Sequence, residues 1–196
     1  MTTPPFPALV HRLLGGLRSL LAGADPPRPG DPKRLATAWL LAAAATAYLA
    51  HGATTYLDRK SGLPLVLCAV AGVALAAPML LAVTRPLLAW RVAWVTAAIT
   101  GPAVQAHGRT PFSWHPAIFV AQLVILFVIA VRLPFAVSVW AWASMALLIA
   151  LSFYPADRVP LIEIVAVLMG VACLIRRRRL RSARREAGAE RPRVPA

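Results

Sequence analysis

The sequence predicts an all-α polytopic membrane protein, a bundle of six transmembrane helices with both termini in the cytoplasm. The chain of 196 residues is 59% hydrophobic and only 14% charged, whereas soluble domains carry about 25% charged residues. Its apolar residues form segments whose lengths are close to about 20 residues, the length of helix that crosses a bilayer. Backbone in lipid must satisfy its own hydrogen bonds, so the predicted bundle contains helices and no sheet.

The first 34 residues are predicted to be a cytoplasmic segment and not a signal peptide. Leucines recur at helical spacing between Leu9 and Leu21, while Arg12 and Arg18 fall elsewhere. This pattern predicts a short amphipathic helix on the membrane surface, with a loosely ordered tail as the alternative. A proline-rich linker, residues 25–32, follows it.

Six apolar segments make up the predicted transmembrane domain, residues 35–175. One helix over residues 63–106 is excluded, because it would be twice the required length and would contain Arg85-Pro86. Arg91 lies one turn inside the third segment, where its long side chain can snorkel to the interface. The six segments are residues 35–56, 63–83, 87–106, 117–131, 135–154 and 159–175.

The distribution of basic residues predicts the orientation. With both termini cytoplasmic, seventeen of the 21 lysines and arginines lie on the inner side. Because basic flanks resist translocation, this bias predicts an even number of spans in the plasma membrane. The four basic residues outside are Arg59, Lys60, Arg109 and Arg158.

An arginine-rich segment, residues 176–196, follows the last span, and we expect it to be a disordered cytoplasmic tail. Each arginine near an anionic leaflet contributes about 1 kcal/mol of attraction, so lipid headgroups are the expected partner. The alternative is that this segment serves only as a topology signal. The net charge of +14 lies in flanks where topology requires it, so we expect no nucleic-acid partner. The headgroup-contacting residues are predicted to be Arg176, Arg177, Arg178, Arg179 and Arg181.

The loop between the third and fourth segments is the predicted site of signal perception. It packs two histidines, an arginine and two aromatic residues between prolines that stop helices. Histidines titrate between about pH 5 and 8 and can also contact a ligand. The alternative is an ordinary interfacial loop anchored by its aromatic residues. The residues concerned are His107, Arg109, Phe112, Trp114 and His115.

Two ionisable residues within the apolar segments form a second candidate, because such groups are costly in lipid. Glu163 lies one turn into the sixth span, and His51 lies near the outer end of the first. A carboxylate paired with Arg158 and a histidine bonded to a neighbouring helix are the structural alternatives. The sequence offers no metal-binding cluster, and we expect no cofactor.

An ordered set of motifs carries a family resemblance over residues 30–185. It consists of RPLLAWR at 85–91, PFSWHP at 111–116, RLP at 132–134 and the arginine run after the sixth span. The set resembles the membrane-spanning sensor (input) region of actinobacterial two-component sensor histidine kinases. The resemblance implies signal transduction, with a signal received through the outer loops or the bilayer and passed on as a shift of the sixth span.

The catalytic parts of that family are missing from this sequence. No histidine is followed by an acidic residue, and the chain contains no asparagine for the magnesium-binding motif. About twenty residues follow Ile175, too few for a nucleotide-binding domain. We therefore expect no enzymatic activity of this chain alone, whether it is a complete protein or the sensor end of a longer kinase.

Two functions follow as hypotheses. The first is a non-catalytic membrane sensor domain that works as a homodimer or with a separate cytoplasmic signalling partner. The second is a small stand-alone membrane protein that serves as a transporter component or an accessory subunit. The second requires a polar path near the midplane, for which the third and fourth segments offer Thr96, Thr100, Gln105 and Gln122.

Overall fold

A computed structural model describes residues 6–25, 32–107, 116–153 and 155–189. Within these ranges the chain forms helices and no strand, which confirms the predicted all-α class. The helices are α1 (Phe6–Ala22), α2 (Pro32–Ser61), α3 (Leu65–Ala76), α4 (Pro78–Ala82), α5 (Pro86–His107), α6 (Pro116–Arg132), α7 (Phe135–Ser152) and α8 (Pro155–Ala189).

Several helices have the length and apolar character that a membrane span requires. In the described residues four stretches qualify, and α6 contributes a shorter apolar stretch, Ile118–Arg132. Large aliphatic side chains such as Leu40 and Val66 are exposed on the bundle surface, as expected where lipid replaces water as the solvent. The four stretches are Leu35–Ser61, Leu65–Ala82, Phe135–Ser152 and Pro155–Ser182.

Proline determines where most of these helices begin. It fixes φ near the helical value and lacks the N–H that the first turn would leave unpaired, so it is favoured at a helix start. Two helices, α3 and α7, directly follow a proline that occupies the N-cap position. Apart from α1, which begins at Phe6, the other helices begin on proline itself, namely Pro32, Pro78, Pro86, Pro116 and Pro155.

The second predicted span is divided into α3 and α4 at Ala77. Pro78 cannot donate to the carbonyl one turn before it, so the helical ladder is interrupted there. Beyond this point the amides of Leu80 and Val83 donate to carbonyls three residues earlier, at 3.1 and 3.3 Å. These tighter bonds carry the chain through a short connection into α5.

The backbones of α2 and α3 lie unusually close together. After α2 ends at Ser61, Gly62 adopts φ 68°, the left-handed conformation that turns the chain back. Gly72 is buried against α2, where an added Cβ would lie 2.9 Å from the carbonyl oxygen of Ala50. The glycine therefore permits close backbone contact between these two helices.

The core of the bundle is built around α6, which contacts every other helix from α2 to α8. Ile118, Ile125 and Ile129 on α6 are completely or almost completely buried. They pack with buried residues of the last two helices, such as Met145 and Val165. The shortest of the predicted spans is thus the central helix of the fold.

The last helix corrects the prediction of a disordered tail from residue 176. α8 continues through the arginine run to Ala189 and is 35 residues long. Arginine, alanine, leucine and glutamate favour helix formation, and no proline interrupts residues 161–189. The arginine run is therefore an extension of the last span.

Candidate functional site

The loop predicted to perceive a signal lies almost wholly outside the described residues. Its first residue, His107, ends α5. The other four, Arg109, Phe112, Trp114 and His115, fall within 108–115, which the structure does not describe. A sensing role for this loop therefore stays a prediction.

The structure keeps the two predicted intramembrane residues apart. His51 is on α2 and Glu163 is on α8, and the described parts of these helices do not contact each other. Both side chains are exposed on the bundle surface. Among the described residues no ion pair joins Glu163 to Arg158, and Arg158 Nε donates to the carbonyl of Phe153 at 2.9 Å.

His51 instead lines a depression, the α2 cleft, near the end of α2 that leads into α3. The described lining of this space of about 390 Å³ comes entirely from α2. The Thr55 hydroxyl donates to the His51 carbonyl at 2.9 Å, which fixes the hydroxyl against the helix. The lining residues are Tyr48, His51, Gly52, Thr55, Tyr56, Arg59 and Lys60.

The α2 cleft has the chemistry of an anion-binding surface. Arg59 and Lys60 supply two cations, and the phenol of Tyr48 and the imidazole of His51 supply further hydrogen-bonding groups. No carboxylate is among the described lining residues. A carboxylate or phosphate ligand would therefore meet complementary charge at this surface.

The predicted headgroup-binding arginines lie on one continuous helix. Arg177, Arg178, Arg179 and Arg181 are exposed, and Arg176 is half-buried. Each successive residue of a helix is rotated by about 100°, so these guanidinium groups surround α8 on several sides. Their contact with lipid stays a prediction.

The most extensively bonded polar cluster joins α1 to the start of α5, and Arg91 is its centre. Its Nε donates to the carbonyl of Leu20 at 2.6 Å. One terminal nitrogen donates to the carbonyls of Ser19 and Gly23, at 3.0 and 2.7 Å. These carbonyls belong to the end of α1 or the residue just beyond it, where most backbone acceptors lack helical partners and a cation is favoured. The Ser19 carbonyl also accepts from the Gly23 amide, at 2.9 Å.

Asp25 completes this junction from the opposite direction. Its two carboxylate oxygens accept from the amides of Leu87, at 2.7 Å, and Leu88, at 3.2 Å. These amides belong to the first turn of α5, whose N–H groups have no helical acceptor. Asp25 thus caps α5 while Arg91, a residue of α5, caps α1.

The middle of α1 packs against the outer surface of α7. The indole nitrogen of Trp140 donates to the Leu13 carbonyl at 2.8 Å. A Cβ added at Gly16 would lie 2.7 Å from the Cβ of Ala136, so the two helices are in close contact there. The predicted amphipathic helix exists, but one of its faces packs on protein.

The junction gives protein partners to Arg91, whose predicted reach toward the interface stays a prediction. Its guanidinium is half-buried and bonded to the backbone of α1. The sequence contained a partial indication of this junction. Arg91 is a cation within an apolar helix, and Asp25 is an acid shortly after the end of another. The contacts that each of them makes could not be read, since these join residues more than sixty positions apart.

Gln122 is one of four buried polar residues in the described part of the chain, with Ser61, Ser138 and Ser152. Gln122 on α6 is only 3% exposed, and its Oε1 atom has no hydrogen-bond partner among the described residues. The hydroxyls of Thr96 and Thr100 donate to carbonyls of their own helix, at 2.8 and 2.7 Å. These two threonines therefore do not extend a polar path from Gln122.

The described residues contain no group of three or more His, Cys, Asp or Glu side chains that could hold a metal ion. Cys68 is buried, and its thiol lies 3.5 Å from the Leu63 carbonyl. The polar groups that the structure brings together are thus suited to helix capping and to anion binding. Comparisons with protein-family models, with curated proteins and with solved structures find no match to this chain.

Proposed function

We propose that the chain is a non-catalytic membrane sensor domain with six spans and both termini in the cytoplasm. The observation that carries the proposal is the continuity of α8, which is 35 residues long. At about 1.5 Å per residue such a helix is roughly 50 Å long, whereas the hydrocarbon core is about 30 Å thick. Pro160 lies inside the second turn of α8 and removes one bond from its ladder. A displacement of α8 beyond this proline would reach the arginine run as movement of one rod.

The contacts of α8 support this role. In the described residues its neighbours are α6, the central helix, and α7. Only a narrow side of α8 is buried, by residues such as Val165 and Met169. A helix with one packed side can rotate or slide at lower cost than a helix enclosed on all sides. The α2 cleft and the loop after α5 are the proposed input surfaces.

A chimera tests the proposed output without knowledge of the signal. The catalytic core of a histidine kinase would be fused after Ala189, with zero to six alanines inserted at the joint. If α8 acts as a rod, autophosphorylation should vary with a period of about 3.6 inserted residues. A flexible Gly-Ser joint of equal length is the matched control and should remove the periodicity. Activity that is flat across the alanine series would contradict the proposal.

A transporter component or accessory subunit is the second candidate, and Gln122 is the observation in its favour. A buried amide oxygen without a partner is costly, and a water-filled path would satisfy it. Gln122→Cys in a cysteine-free background distinguishes the two functions. A sensor with a dry core should leave this thiol unreactive to a membrane-impermeant reagent added on either side. Rapid labelling would favour the transporter component.

A further inference from the structure

The first helix, α1, has a second apolar side that stays exposed. This exposed row consists of Val10, Leu14 and Leu21, whose side chains are 37%, 54% and 66% exposed. At about 100° per residue, the three side chains fall within roughly 40° of one another around the helix axis. Large aliphatic side chains that share one side of a surface helix indicate an apolar partner for that side.

The contacts of α1 place it beside the first turns of two other helices. Among the described helices it contacts only α5 and α7. The residues that approach it most closely are Arg91, the sixth residue of α5, and Ala136 and Trp140, the second and sixth residues of α7. Six residues of helix span about 9 Å. Because α7 is one of the candidate spans, α1 lies near the depth of about 5–10 Å at which interfacial helices bind.

The two apolar sides of α1 are oriented as a helix in this boundary requires. Gly16 and Leu20 are buried, and Leu13 is half-buried, on the side that packs on α5 and α7. The exposed row is rotated from that side by roughly 110°, and the half-buried Leu17 lies between the two. A helix in the boundary beside upright spans needs one apolar side toward the spans and another, at about a right angle, toward the acyl chains.

The other sides of α1 carry positive charge. Arg18 and His11 are rotated from the exposed row by about 60° and 80°, and Arg12 lies on the opposite side from it. All three side chains are exposed. The one acid in residues 6–25 is Asp25, whose carboxylate accepts from two amides of α5. When the exposed row faces acyl chains, the two arginines are therefore placed to meet the phosphates of an anionic leaflet.

We infer that α1 anchors the bundle to anionic phospholipid, with the exposed row among the acyl chains and Arg12 and Arg18 on headgroup phosphates. An anionic leaflet fits better than an acidic protein, because the row lies at the depth of the lipid boundary. The inference requires α7 to cross a bilayer but does not depend on a sensory role. Since Arg91 and Trp140 bond the backbone of α1, lipid bound there would act directly on α5 and α7.

Quenching of a fluorescent probe tests this position in the full chain. Bimane would be attached to Leu14→Cys or to Gly15→Cys in a cysteine-free background, in nanodiscs whose two leaflets have the same composition. Gly15 is the matched site, because it is exposed and an added Cβ there meets nothing within 4 Å. Doxyl groups on acyl chains should quench the Leu14 probe more strongly, and aqueous iodide should quench the Gly15 probe more strongly. Leu21→Cys replaces Leu14→Cys if that variant does not fold.

The role of lipid charge is tested in an equimolar mixture of phosphatidylglycerol and phosphatidylcholine, with the doxyl group on one lipid or the other. At the Leu14 probe we expect about fivefold enrichment of phosphatidylglycerol, the effect of one basic contact of about 1 kcal/mol. Replacing Arg12 and Arg18 together by Gln should remove the enrichment. A probe at Val70→Cys is the matched control and should show none, because Val70 is exposed on α3 with no charged residue within a turn.

Several results would overturn the inference. Iodide that quenches the Leu14 probe as strongly as the Gly15 probe would place the exposed row in water. Protection of the Leu14 probe from both quenchers would mean that protein, such as a second copy of the chain, covers the row. Equal amounts of the two lipids at Leu14, or an enrichment that survives the loss of both arginines, would exclude an anionic lipid as the partner.

Discussion

Arg91 Nε donates to the carbonyl oxygen of Leu20 at 2.6 Å, across a separation of 71 residues. The bond joins the first turns of α5 to the end of α1, and two further bonds from the same guanidinium reinforce it. An arginine within an apolar helix is costly in lipid unless its donors are satisfied. Here the backbone of α1 satisfies them, so the two helices depend on each other.

Replacing Arg91 should therefore release α1. We expect Arg91→Gln to lower the free energy of unfolding by roughly 2–3 kcal/mol, because three charge-assisted bonds are lost. The stability of Arg91→Lys should fall between those of the unaltered protein and Arg91→Gln, since an ammonium retains the charge but not the planar fork. Limited proteolysis of the segment after α1 in detergent measures the release. Arg85→Gln, at an exposed arginine of the same region, should leave the cleavage rate unchanged.

The carboxylate of Asp25 should stabilise the first turn of α5. We expect Asp25→Ala to cost about 1 kcal/mol, the usual effect of removing an N-terminal cap. Asp25→Asn retains one acceptor oxygen and should cost less. Hydrogen exchange at the amides of Leu87 and Leu88 reports the change directly. Equal exchange in Asp25→Ala and the unaltered protein would mean that the cap contributes nothing.

The contact between α2 and α3 should tolerate little added volume. Gly72→Val would place methyl groups against the α2 backbone at Ala50 and Thr54. We expect a loss of about 1–3 kcal/mol, the typical cost of overpacking. Gly170→Val on α8 is the matched control, because a Cβ there meets nothing within 4 Å. Thermal unfolding in the same detergent compares the two, and equal midpoints would contradict the expectation.

The arginine run should influence insertion. Changing Arg176, Arg177, Arg178 and Arg179 to Gln removes four of the basic residues that we propose hold this end in the cytoplasm. We expect a fraction of molecules to insert α8 in the opposite direction. Reporter fusions after Ala189 that are active only in the cytoplasm or only outside measure that fraction. A fusion with Arg181→Gln alone should show a uniform orientation.

Much of the fold was predictable because the strongest constraints are local. Apolar length and proline position are properties of short stretches. They placed the third and fourth spans from residues 87 and 117, one residue after the observed helix starts at Pro86 and Pro116. The tail was mispredicted because clustered charge was taken to indicate disorder. Helix propensity and continuity with a packed span favour helix over that stretch instead.

The polar contacts were much less predictable, because they depend on which helices become neighbours. Arg91 and Trp140 each hold the α1 backbone, and a backbone carbonyl leaves no trace in the amino-acid sequence. Likewise, spacing along the chain could not show that His51 and Glu163 lie on helices that do not touch. A groove lined by residues of α2, α4 and α6, Arg132 among them, forms only where these three helices meet, so no single segment predicts it.

The attachment of α1 to α7 also imposes an order on biosynthesis. The bond between Trp140 and Leu13 joins residues 127 positions apart. At about 5–20 residues per second, the ribosome needs on the order of ten seconds to synthesise that interval. Arg91 of α5 becomes available to the end of α1 earlier in that interval. Until Trp140 is made, however, the face of α1 that packs on α7 must rest on the membrane or on a chaperone. The first helix to be synthesised is thus among the last to be docked.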